Sequence, residues 1–210
     1  MTLDETIDRR AAFLTEYQDG AWADRYRTTI DRVRAAEVAA TGAPGPLTEA
    51  AVKGLFKLMS YKDEYEVARL HSQTGFAEGL KDRFDGDFVV KHHLAPPMLP
   101  GKDARGRPLK RSFGPWIGPV FRQLARMKRL RGTALDPFGY TLERRMERVL
   151  IGEYTTLLDR LTVGLTRDTV EDRAAIAARV MEIRGFGPVK NAAVDRVRGD
   201  IAQALEERGL

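Results

Sequence analysis

The chain has 210 residues, 43% hydrophobic and 31% charged, with a net charge of +5 and no cysteine. That balance can build a packed core and is not the profile of a disordered chain; the lack of cysteine excludes disulfides, thiolate zinc sites, a cysteine nucleophile and cysteine-ligated iron–sulfur clusters within these residues. No stretch is apolar for the length that a membrane span needs, so a soluble, cytoplasmic protein is expected.

From the N-terminus, Leu3, Ile7, Ala11, Leu14 and Tyr17, then Trp22, Tyr26, Ile30 and Val33, recur at three- and four-residue steps. This is the period of an amphipathic helix. It predicts one long helix over 3–40, or two joined near Asp19-Gly20. The run TGAPGP at 41–46 ends it, because two prolines and two glycines cannot continue a helix. Thr48 is expected to cap the next helical run, and helices are expected over 47–84. Leu55, Leu58, Tyr61, Tyr65 and Ala68 share one face there. Asp63, Glu64 and Glu66 near Lys62 and Arg69 read as a salt-laced solvent side. Thr74-Gly75 reads as a break, and FAEGLKDRF as one more short helix.

Residues 86–115 change character. Phe88, Val89, Val90 and Leu94 precede a Pro-Pro pair, a tip GKDARGR and then Phe113 before Gly-Pro. This predicts a small β-hairpin or extended arm around a loop. Helix resumes at WIGPVFRQLARMKRL, with Pro119 tolerated only in a first turn. After a loop, RGTALDPFGY, comes a helix with the stripe Met146, Leu150, Leu157 and Leu161. A further helix starts at Thr166 or Asp168, with Ile176, Val180 and Ile183 on its apolar edge. The last helix carries Val194, Val197, Ile201 and Leu205. The C-terminal helices occupy 116–208. The fold class is therefore mainly α: a single helical domain over 1–210, with a small β-hairpin or extended arm near 86–115.

Charge is distributed unevenly. Residues 100–131 hold ten Lys or Arg against the lone acid Asp103, while the remaining residues are net acidic. A patch of this kind attracts phosphates, an acidic partner surface or anionic cofactor groups. The loop at 102–111 could track a nucleic-acid backbone, but Phe113 and Trp116 flank it on one side only and do not interleave with its cations.

Two short motifs bear on chemistry. RGFGPVK at 184–190 either holds a phosphate on backbone N–H groups, as a helix-hairpin-helix module does, or is a turn between packed helices. Ile183, Gly185, Phe186 and Gly187 fit the module. Arg184 stands where such modules carry proline, and Lys190 and Ala192 sit one position late. His92-His93, with His71, is the other motif. Adjacent side chains of an extended segment point to opposite faces, so one histidine is expected to pack and the other to face solvent or a partner; no metal site is expected. The acid pairs Asp63/Glu64, Glu171/Asp172 and Glu206/Glu207 are expected on exposed helix faces. No nucleophile elbow, P-loop or strand-borne GxGxxG is present.

Six stretches, taken together and in order, resemble one family. They are LTEYQDGAWADRYRTTIDRVRAAE, LFKLMSYKDEYEVARL, HLAPPML, GRPLKRSFGPW, LRGTALDPFGYTLERRMERVLIGEY and EIRGFGPVKNA. They are similar to the C-terminal domain of the long single-chain indolepyruvate:ferredoxin oxidoreductases, within the 2-oxoacid:ferredoxin oxidoreductase superfamily, and the likeness covers nearly the whole chain. The resemblance implies a parent enzyme that oxidatively decarboxylates aryl pyruvates to acyl-CoA and passes electrons to ferredoxin. It implies thiamine diphosphate, Mg and [4Fe-4S] clusters in that parent, with none of these cofactors in this segment. No catalytic, cofactor-binding or metal residue is assigned here, and the isolated segment is expected to be inactive.

What the resemblance transfers is the role of an appended helical domain docking on the catalytic domains of the same enzyme, in cis or in trans. His92, His93, Lys102, Arg105, Arg107, Lys110, Arg111 and Trp116 are the candidate docking residues. Phe13, Tyr17, Trp22 and Tyr26 would then lie on the link from an upstream domain. Met1 falls close to the edge of the matching domain, so a fragment, a separate gene product and a mis-called start are all compatible with the sequence. No membrane partner is expected. The alternative reading is a nucleic-acid-binding module using the helix-hairpin-helix-like turn and the basic loop.

Overall fold

The computed structural model describes residues 1–73, 79, 89–96, 101 and 109–210. Among them are eight α-helices, two short 3-10 turns and one two-stranded antiparallel sheet, so the fold is mainly α with a small hairpin. The chain divides into two compact units, Met1–Tyr61 with Arg145–Leu210, and Lys62–Arg144.

In the first unit, α1 (Leu3–Tyr17) opens with a capping box in which the Thr2 hydroxyl accepts from Glu5 N while Glu5 Oε2 accepts from Thr2 N. Two orphan backbone donors are satisfied at once. The chain breaks at Gln18, and α2 (Gly20–Thr41) restarts on Asp19, whose Oδ1 accepts from Trp22 N at 2.9 Å. Two helices, not one continuous helix over 3–40, therefore form, because Asp19 offers a helix N-terminus of its own. Gly42, at φ 93°, closes α2 in the left-handed region that glycine tolerates best. The stripe read from the sequence is buried: Ile7, Ala11, Leu14, Tyr17, Ala23, Tyr26, Ile30 and Val33.

The four aromatics expected on the link from an upstream domain pack within this unit. Tyr17 Oη donates to Tyr61 O, Tyr26 Oη to Val52 O and Trp22 Nε1 to Met59 O, while Phe13 meets Phe56 edge-on. These bonds tie α1 and α2 to α3 (Pro46–Met59) and its exit. Thr48 does not cap α3. Pro46 is the first residue of that helix, and Thr48 is already inside it and buried. The cap comes from α2: the fully buried Glu37 carboxylate accepts from Gly45 N, Leu47 N, Thr48 N and the Thr48 hydroxyl. A carboxylate at a helix N-terminus meets both the unpaired N–H groups and the positive end of the helix dipole.

Three later helices, the first from Arg145 onward, complete the unit. They are α6 (Leu142–Thr162), α7 (Val170–Ala178, continued by a 3-10 turn over Arg179–Glu182) and α8 (Pro188–Glu206). α7 starts at Val170 after Thr169, later than the Thr166 or Asp168 start expected; residues 166–169 form a turn in which Thr169 N donates to Thr166 O. Buried Arg173 on α7 donates to the carbonyls of Leu161, Val163 and Gly164 and so satisfies the C-terminal end of α6. α3 packs on α7, and Ile176, Val180, Ile183, Val194, Val197 and Leu205 are all in the core.

The second unit holds α4 (Glu64–Ser72), β1 (His92–Leu94), β2 (Arg111–Phe113) and α5 (Ile117–Arg126, continued by a 3-10 turn over Met127–Leu130). Its core is Ala68, Ile117, Phe121 and Ala125, with Leu94, Phe113 and Leu124 against it. The break expected at Thr74-Gly75 and the helix expected in FAEGLKDRF, Gly79 apart, lie outside the described residues.

Candidate docking face

The second unit is anchored by charges that its sequence pattern assigns to solvent. Asp63, Glu66 and Arg69 are 3%, 3% and 7% exposed. They form no solvent side, and the Asp63 half of the Asp63/Glu64 pair is not on an exposed face. Asp63 Oδ1 caps α4 by accepting from Glu66 N at 2.8 Å, and the same carboxylate takes Arg131 Nε and Nη2 at 2.5 and 2.9 Å. Glu66 holds Arg69 through two bonds of 2.8 and 2.9 Å. Buried carboxylates need such partners, and Arg131 lies 68 positions along the chain, where periodicity cannot find it.

Tyr65 extends the network. Its hydroxyl donates to Asp136 Oδ1 at 3.0 Å, and Asp136 also accepts from Gly132 N and Phe138 N. Asp136 thereby shapes the loop 131–140, while Phe138 meets the Tyr65 ring edge-on. Burial, the bond to Asp136 and the nearby carboxylate charges push the Tyr65 phenol well above its usual pKa.

On this frame sits the hairpin, with His92 opposite Phe113, His93 opposite Ser112 and Leu94 opposite Arg111. Strand alternation turns His92 and Leu94 inward and leaves His93 exposed. His92 is packed edge-on against His71 of α4 and Phe121 of α5, at centroid distances of 4.8 and 5.2 Å, and His71 stacks on Phe121 at 5.3 Å. Of the candidate docking residues, His93, Lys110, Arg111 and Trp116 face solvent. His92 does not; it is part of the packing that holds the hairpin. Lys102, Arg105 and Arg107 lie outside the described residues. The ring of Trp116, 64% exposed, leans edge-on against Phe113 at 5.7 Å.

Burial first, and then His92, hold the His71 pKa below its ordinary 6.5. The sign follows from proton linkage. Between the folded and unfolded values the unfolded chain binds the extra proton, so stability falls as pH drops below 6.5 toward the folded value. Amide exchange in α4 and the hairpin is expected to speed up from pH 7 to pH 5 relative to the intrinsic rate, and His71→Phe to flatten that dependence. An unchanged pH profile in His71→Phe would show that other groups set it.

RGFGPVK belongs to the first unit. Gly185 and Gly187 have φ of 96° and 55°, and Pro188 is the first residue of α8. Phe186 and Val189 are 74% and 67% exposed. Lys190 Nζ pairs with Glu147, which is only 5% exposed, and Lys57 Nζ donates to the carbonyls of Val180 and Met181. Burial, then Arg184 and Lys190, lower the Lys57 pKa. The cation that a phosphate reader would use at position 190 is therefore engaged inside the fold.

An apolar crevice of about 670 Å³ runs between α6 and α8, walled by Leu150, Leu157, Val197 and Leu205. The Tyr154 hydroxyl on its wall already reaches the carbonyls of Ala50 and Ala177. Among the described residues no three His, Asp or Glu side chains are grouped as a metal site needs, and no helix is long and apolar enough to cross a membrane.

A family model described as "Family of unknown function (DUF6537)" matches residues 3–203. No curated protein and no solved structure matches the chain.

Proposed function

The chain belongs to the DUF6537 family, and we propose that it is a non-catalytic helical domain that docks on the catalytic body of an indolepyruvate-type 2-oxoacid:ferredoxin oxidoreductase, in cis or in trans, in the cytoplasm. The observation that carries this reading is the solvent-facing group His93, Lys110, Arg111 and Trp116 on a hairpin and helix start braced from beneath. Cations beside an exposed, positioned tryptophan are the composition of a protein contact. The six sequence blocks supply the identity of the partner.

The whole enzyme would convert aryl pyruvates to acyl-CoA and deliver electrons to ferredoxin, with thiamine diphosphate, Mg and [4Fe-4S] clusters. This chain's residues do not fit those groups. It has no cysteine to offer a cluster, and among the described residues the buried carboxylates Glu37, Asp63, Glu66, Asp136 and Glu147 are engaged by donors of the fold itself. The reading therefore assigns all redox and carbanion chemistry to other domains. For the nucleic-acid alternative, the Lys190–Glu147 pair is an argument against.

Antibody enrichment of the chain from native extract tests the proposal, whether the link is covalent or not. Indolepyruvate- and CoA-dependent reduction of ferredoxin is expected in the enriched fraction, and none from the purified 210 residues. An enriched fraction without that activity, or turnover by the isolated chain, would overturn it.

A further inference from the structure

We propose that the outer face of α5, anchored by Trp116, receives an acidic amphipathic segment of the docking partner. This rests on the docking reading above, though not on what the partner catalyses. α5 buries Ile117, Phe121 and Ala125. At 100° per residue, Trp116 and Val120 fall together on one outward edge of the helix, and Arg122 and Arg126 on the other. Trp116 and Val120 are 64% and 43% exposed.

Among the described α-helices, α5 alone carries no Asp or Glu. On α8, Arg196 and Arg198 pair with Glu182 and Glu153, and just past its end Arg208 pairs with Asp172; on α2, Arg27 and Arg34 pair with Asp8 and Asp4. Residues 109–131 contain seven Lys or Arg and no acid. Arg131 is engaged by Asp63, whereas Arg122 and Arg126 have no carboxylate partner among the described residues. Like charges four apart on a helix repel and destabilise it, and no carboxylate among the described residues of the unit pairs with either arginine. An incoming carboxylate would.

The same observations select the kind of partner. Single-stranded nucleic acid needs a series of stacking aromatics, and α5 exposes one. A membrane-surface helix turns its whole apolar face outward, whereas α5 has its apolar face in the core. One tryptophan, one valine and a cationic edge match an interface anchor with a charged rim.

The test uses the full chain carrying fluorotryptophan. Its two tryptophans give two NMR resonances, assigned with Trp116→Phe. The probes are a short helical peptide of Glu with Leu and Phe on one face, the same peptide with Lys for Glu, a DNA duplex, and phosphatidylglycerol vesicles. Saturable movement of the Trp116 resonance alone, by the acidic peptide alone, is expected. Affinity should fall by about tenfold or more in Arg122→Gln with Arg126→Gln and stay near wild type with Lys at both positions, which keeps the charge. No response to the acidic peptide, an equal response to the Lys peptide, a preference for DNA or vesicles, or indifference to the Gln pair overturns the proposal. Because no probe contains an oxidoreductase, failure here leaves the enrichment assay standing, and failure of that assay leaves this surface standing.

Discussion

Gly54→Ala is expected to destabilise the first unit by about 3 kcal/mol, lowering the melting temperature by roughly 6–12 °C. A Cβ at position 54 would fall inside contact distance of Tyr154 Oη and 2.7 Å from both Tyr154 Cζ and Val180 Cγ1. Tyr154 cannot withdraw without loss. It is 3% exposed, and its hydroxyl lies 3.2 Å from Ala50 O and 3.1 Å from Ala177 O. Burial already raises its pKa. Alanine gains about 1 kcal/mol of helix propensity over glycine. Against this stand an overpacking cost of about 1–3 kcal/mol and about 1–3 kcal/mol for a buried hydroxyl pushed off its partners, so the clash prevails. Urea denaturation of Gly54→Ala, Tyr154→Phe and the double variant checks the mechanism as well as the size. Removing the hydroxyl should make the double variant more stable than the two single losses added together. Strict additivity would mean that α3 and α6 do not meet at this point.

Asp63→Ala is expected to cost about 3–5 kcal/mol in the second unit, because it strands the Arg131 guanidinium without its carboxylate in a buried site. Both side chains are 2% exposed. The same substitution removes the α4 cap, worth about 1 kcal/mol. Arg131→Met should be milder, since Asp63 keeps its bond from Glu66 N and the methionine can still lie near the Tyr65 ring, over which the guanidinium now sits at 5.6 Å. Asp63→Asn should fall between them, retaining the cap and losing the ion pair. Amide exchange across α4 reads this order directly, and Arg131→Met as damaging as Asp63→Ala would show that the two-role account of Asp63 is mistaken.

The candidate docking face was partly legible for a physical reason. Strand alternation alone separates His92 from His93, and the cation excess over 100–131 is a property of composition. That His92 is the histidine packed inward was not legible, because the aromatic partners His71 and Phe121 come from two helices distant in sequence. The extension of the face along α5 to Val120, Arg122 and Arg126 could have been found: a hundred-degree wheel puts Ile117, Phe121 and Ala125 on the opposite side.

The sequence by itself determined the helical class, the hairpin and most of the core. The stripe from Ile7 to Val33 and the edges at Ile176–Ile183 and Val194–Leu205 are buried as their spacing requires. Periodicity records which way an apolar side chain must face, and burial of apolar area dominates folding. Tertiary structure alone decided the fate of the charges. Glu37 caps α3, Asp63 grips Arg131 across 68 positions, and Arg173 closes α6. A charge reads as solvent-facing in a linear pattern because burying it unpaired is so costly, and the partner that removes this cost is identified only when distant segments meet.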